Sequence, residues 1–148
     1  MVALRWVGAA LLLLLSSASF ALETEQREIV TRATAPLIEA VIQEIDKKFE
    51  EVDNNSYKFK LKGYKVVLFN KGKDIQLYAG FKAKRITLSR INEWNKTKRF
   101  GRAYLDSDND PVIEADLDFE GGVTAEAIVR FVALFGQLVE SFSDHLEQ

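Results

Sequence analysis

His145 is the only imidazole in the chain, and there is no cysteine. Thiolate nucleophiles are therefore excluded, and histidine base chemistry has one candidate. His145 falls in the last turn of an apolar terminal segment, where it is expected to face solvent and complement a helix dipole. The carboxylates either alternate with apolar residues or cluster in turns, which predicts solvated acids of ordinary proton affinity. Asp106-Ser107-Asp108-Asn109-Asp110 has the one-three-five oxygen spacing of a calcium loop. Pro111 stands where that loop needs glycine for its sharp turn, and Leu117 where a bidentate glutamate should close the shell. The segment reads as an acidic hairpin turn. No catalytic residue, metal or cofactor is expected.

Two constellations remain that could bind something. Trp94, Asn95, Arg99, Phe100 and Tyr104 combine aromatic rings, an amide and a guanidinium, a set able to hold a small anion. The structural alternative is favoured: Trp94 and Phe100 plug a helix against a sheet, Asn95 stops the helix, and Arg99 bonds its free carbonyls. The second constellation is charge. Residues 56–102 hold ten lysines and four arginines against Asp74 and Glu93, a net +12, whereas residues 22–55 carry −5 and residues 103–148 carry −10. Lys58, Lys60 and Lys62 form one side of a strict alternation and could receive an anionic polymer or lipid headgroup. The favoured reading is neutralisation within the sheet, with these lysines near Glu114, Asp116, Asp118 and Glu120 on one outer face. Nucleic acid is not expected, because Tyr57, Phe59 and Leu61 point to the core and not among the lysines as a stacking platform requires.

The elements that must position these residues follow from periodicity. Thr34-Ala35-Pro36 reads as a helix start, and Leu37, Val41, Ile45 and Phe49 follow at four-residue spacing. Asp53-Asn54-Asn55-Ser56 ends that element as a turn. Residues 57–62, 64–69 and 75–81 read as strands, with a hairpin signal at Asn70-Lys71-Gly72-Lys73. Residues 89–98 form a short helix with Ile91 and Trp94 inward. Residues 100–105 and 112–119 form a second hairpin, with Ile113, Ala115, Leu117 and Phe119 facing in. Gly121 and Gly122 make a turn that lets the last helix fold back. Thr124 then caps a helix from Ala125 to Leu146. The sum is an α+β fold, an antiparallel sheet with N- and C-terminal helices and a short middle helix.

The order of a Trp94-Asn95 helix, an Arg99-Phe100 strand opening, Gly121-Gly122-Val123-Thr124 and a long apolar helix resembles the YbjN-type family of proposed bacterial sensory-transduction regulators. The resemblance covers roughly residues 36–146. It implies a sandwich similar to type III secretion chaperones; with no nucleophile and no well-placed base in the sequence, a non-enzymatic protein-binding role, as a sensory-transduction regulator or chaperone-like adaptor, is expected. Trp94, Asn95, Arg99, Phe100 and Tyr104 match the family's most recognisable positions. Secretion chaperones are commonly dimeric, and Val129, Leu134 and Leu138 widen the apolar stripe of the last helix, so a homodimer through that helix or a free sheet edge is expected, the alternative being that the first helix covers the surplus within the monomer.

Residues 1–21 read as a cleavable signal peptide. Arg5 is a minimal basic region, Trp6–Leu15 is an apolar run half the length of a membrane span, and Ser19-Phe20-Ala21 offers small residues to a signal peptidase. Residues 22–35 read as a polar extension and 36–148 as the domain. An exported chain without cysteine must be stabilised by packing alone, which suits a periplasm. The expected product is a periplasmic protein-binding domain with little membrane contact after cleavage. The alternative is a binder of anionic envelope components through the lysine-rich face.

Overall fold

The computed structural model describes residues 28–82 and 85–147. The expected signal peptide and most of the polar extension lie outside them. Six strands form one antiparallel sheet: β2 (Glu50–Asp53), β3 (Ser56–Leu61), β4 (Tyr64–Asn70), β5 (Asp74–Gly80), β6 (Arg102–Leu105) and β7 (Pro111–Asp118). Their order is β2-β3-β4-β5-β7-β6. A separate two-stranded ladder joins β1 (Ile29–Val30) to β8 (Val123–Thr124). Three helices complete an α+β fold: α1 (Ala35–Ile45), α2 (Leu88–Thr97) and α3 (Ala125–Glu147).

Alternation decides which face the helices cover. Tyr57, Phe59 and Leu61 on β3, Leu68 on β4, Leu77 on β5 and Ala115 on β7 are all buried on one face. Ile38 and Ile42 of α1, Trp94 of α2 and Val132, Phe135 and Phe142 of α3 join them in a single core. Such apolar burial stabilises by about 25 cal/mol per Å² removed from water. Thr124 caps α3 through its hydroxyl, which accepts from the Ala127 N–H at 3.1 Å. Gly136 is needed because α3 passes so close to Leu61 that a Cβ there would come within 3.1 Å of the leucine side chain.

Several expectations need correction. The α1 stripe ends at Ile45; Phe49 lies beyond the helix and rests edge-on against Tyr57, with ring centroids 6.0 Å apart. Glu50–Asp53 was expected to run into a turn but forms the edge strand β2, fully exposed and recognisable only from its pairing with β3. Ile29 and Val30, expected within a polar extension, pair with Thr124 and Val123 and so carry the fold back to Ile29. That pairing explains Gly122: its φ is 91°, and a Cβ would lie 2.2 Å from Ile29. Gly121, at φ 83°, makes the preceding part of the same turn. Of the surplus apolar residues on α3, Leu138 is buried in the core beside Gly101, Leu134 is half-buried, and Val129 remains 50% exposed.

Candidate functional site

The residues between α2 and β6 do not converge on one pocket. Trp94 is fully buried, with Phe142 edge-on at 5.0 Å and the His145 ring at 5.6 Å. Asn95 does not stop the helix. Its Nδ2 donates to the Ala103 carbonyl at 2.9 Å, and its Oδ1 accepts from the Ala103 N–H at 3.0 Å. Ala103 lies on β6, which among the described residues pairs with β7 alone, so one side chain takes the place of a neighbouring strand at that point. Near the end of α2 the Glu93 and Trp94 carbonyls accept from the Thr97 hydroxyl, and the Trp94 carbonyl also from the Lys98 N–H; among the described residues Arg99 bonds neither.

Phe100 departs furthest from expectation. It does not plug the helix against the sheet: it is 65% exposed, and its φ is 67°. The Arg99 guanidinium stands 5.0 Å from its ring centroid, a cation–π contact that stiffens both side chains in solvent. A bulky residue in left-handed backbone costs about 1–2 kcal/mol. Here that cost falls on an apolar ring that stands outside the core.

On the sheet face away from the helices, Glu114 is the one buried charged side chain among the described residues, 4% exposed. Arg102 pairs with it, and the Tyr104 hydroxyl donates to its Oε2 at 3.2 Å. The Glu114 hydrogen bond and charge raise the proton affinity of Arg102, while burial, then Glu114, raises that of Tyr104. Glu114 is thus no solvated acid, against expectation. Arg102, Tyr104 and Glu114 share one parity on adjacent strands, a signal present in the alternation but legible only once β6 is known to pair with β7.

The lysines fall elsewhere. β4 and β5 separate β3 from β7, so Lys58 and Lys60 have no cross-strand acid on β7. Lys58 lies opposite Glu50, and Lys60 lies opposite Lys65. Lys62 leaves the row: at φ 51° it turns away and its Nζ meets Glu140 of α3 at 2.6 Å. Lys58, Lys60 and Lys65 line an open cleft of about 260 Å³ with Asp46, Lys48 and Glu50. Asp46 is not free there. Its carboxylate accepts from the Lys60 and Lys48 backbone N–H groups, which hold its pKa below the usual value. In the β6–β7 turn, the Asp106 carboxylate accepts from the Asp108 and Asp110 N–H groups, both at 2.9 Å, and so serves the turn. His145, expected in solvent, is half-buried against α2.

Three helices and an antiparallel sheet place the described residues in the α+β class. Residues 34–148 match the model of YbjN, described as a putative bacterial sensory transduction regulator, and the chain belongs to that family. No curated protein matches it significantly.

Proposed function

We propose that the chain is an exported, non-enzymatic regulator that works by binding a protein at the corner between α2 and β6. The observation that carries this reading is Phe100, held 65% exposed in left-handed backbone with Arg99 over its ring. Backbone strain clusters at functional sites, and aromatic and arginine residues are enriched in interface hot spots. Family membership as a sensory transduction regulator supports a role in recognition. A non-enzymatic reading fits the way the ionisable groups are spent. Glu114 is bonded to Arg102 and Tyr104, Asp106 to its own turn, and His145 to Arg90. The periplasmic location rests on residues 1–21, whose pattern is that of a cleavable export signal.

A photoreactive residue at position 100, compared with one at exposed Val52, tests the reading in cells. The expected result is a discrete heterologous adduct from position 100 alone, competed by the unmodified chain and not by Phe100→Asp. Equal labelling from both positions would remove Phe100 from any specific contact.

A further inference from the structure

Among the described residues, no helix covers the outward face of the six-stranded sheet, and opposite net charge collects at two of its corners: Lys48, Lys58, Lys60 and Lys65 outnumber Asp46 and Glu50 at one, and Asp74, Asp118 and Glu120 outnumber Arg32 and Lys73 at the other. Lys60 lies directly opposite Lys65, and Asp74 directly opposite Asp118. Like charges facing each other across a ladder are destabilising. None of these four side chains makes an ion pair within 4 Å among the described residues.

The two pairs occupy opposite corners. Lys60 ends β3 and Lys65 begins β4, whereas Asp74 begins β5 and Asp118 ends β7. Adjacent strands run antiparallel, so the lysine pair and the aspartate pair sit at opposite ends of the strands on either side of the β4–β5 boundary. Between them lie half-buried Val67, Phe69 and Tyr78, the last two ring-to-ring at 6.3 Å. Burial, with Asp106 and Glu114 nearby, keeps the Tyr78 hydroxyl protonated beyond its ordinary range.

We infer that this face is an interface between two copies of the chain. The two-fold axis lies in the interface and crosses the strands obliquely between β4 and β5. Such a rotation lays each copy's Lys60–Lys65 pair on the other's Asp74–Asp118 pair and brings the two apolar centres together. A two-fold contact requires a self-complementary patch, and oppositely charged corners flanking an apolar middle supply one. An anionic polymer or membrane would meet the lysines only, and Asp74, Asp116 and Asp118 on the same face would repel it. The corner carrying Phe100 is a different surface, so this inference does not rest on the proposed function.

Light scattering on the full processed chain, with reversed charges, tests the pairing. The wild-type chain is expected to dimerise at tens of micromolar in low salt and to dissociate as salt rises. Lys60→Glu/Lys65→Glu and Asp74→Lys/Asp118→Lys should each be monomeric. An equimolar mixture of the two should dimerise again, because every corner then meets its opposite; this recovery also shows that both variants are folded. A wild-type monomer at every concentration overturns the inference, as does a dimer that neither double substitution weakens. So does a monomer that sediments with phosphatidylglycerol vesicles and loses that binding on lysine reversal, which would give the lysines to a lipid surface.

Discussion

Arg90 and His145 clamp α2 to the end of α3 by exchanging hydrogen bonds with each other's backbone. The Arg90 Nε and Nη2 donate to the His145 carbonyl at 3.0 and 2.6 Å, and His145 Nε2 lies 2.9 Å from the Arg90 carbonyl. A carbonyl only accepts, so Nε2 carries the hydrogen. The guanidinium thus satisfies one of the carbonyls that the last turn of α3 leaves without an intrahelical partner. The same contact seats the His145 ring on Trp94.

Replacing Arg90 by Met keeps the stem and removes the fork. The expected cost is about 1–2 kcal/mol, below the upper range for charge-assisted bonds because the side chain is partly solvated. Urea unfolding measures it, and Arg90→Lys should recover less than half, since one ammonium cannot reproduce the planar fork. Full recovery by lysine would mean that charge near the helix end matters and the fork does not.

Trp94→Ala should cost about 3–5 kcal/mol, the range for large aromatic truncations in a core. The indole is fully buried, yet its Nε1–H has no hydrogen-bond partner among the described residues. Trp94→Phe therefore loses volume but also removes an unmet donor, and should cost under about 2 kcal/mol. Denaturant midpoints for the two variants separate packing from polarity; equal losses would point to a partner for Nε1.

The helices were legible because apolar residues recur at helical spacing, and α3 runs within a residue of its expected bounds. The strands with strict alternation were legible for the same reason. β2 was not, because Glu50-Glu51-Val52-Asp53 has no apolar face and is held only by its neighbour. Spatial order was the larger loss. Matching Lys58 and Lys60 to the β7 acids assumed adjacency that local pattern does not encode, and β4 and β5 intervene. Asn95 shows the same gap at one residue: its position near a helix end suggested a stop signal, while its partner is eight residues away on another element. Phe100 looked apolar and therefore buried, and only its backbone conformation reverses that reading.

Asn95→Asp tests the sealed edge. The substitution is nearly isosteric, but it removes the donor to the Ala103 carbonyl and sets a carboxylate against it. A loss of about 1–3 kcal/mol is expected from the unmet and repelled carbonyl. Asn95→Leu, which also removes the acceptor for the Ala103 N–H, should accelerate hydrogen exchange at the Ala103 amide more than at Ile113 on the neighbouring strand. Uniform acceleration across the sheet would indicate a global effect.

Alkaline stability should track Tyr57. Burial first, and then the hydrogen bond to Glu39 at 3.1 Å, push its hydroxyl from 10 up to about 12. A pKa higher in the folded than in the unfolded state contributes stability that is complete below pH 10 and lost as pH climbs towards 12. Denaturation midpoints between those limits should fall less steeply in Tyr57→Phe than in the wild type. Parallel slopes would assign the alkaline limb to other groups.

Export makes the most direct claim on the biology, and the N-terminus decides it. The ten-residue apolar run Trp6–Leu15 and the small residues Ser19 and Ala21 lead us to propose cleavage after Ala21, so the mature chain begins at Leu22. No helix among the described residues is long and apolar enough to cross a membrane. Mass spectrometry of the protein released by osmotic shock should find Leu22 at the terminus. Ala21→Arg should block processing and leave the longer form with the membranes. An intact Met1 or Val2 terminus in the wild type would make residues 1–21 a retained anchor, and the corner carrying Phe100 would then work at a membrane surface.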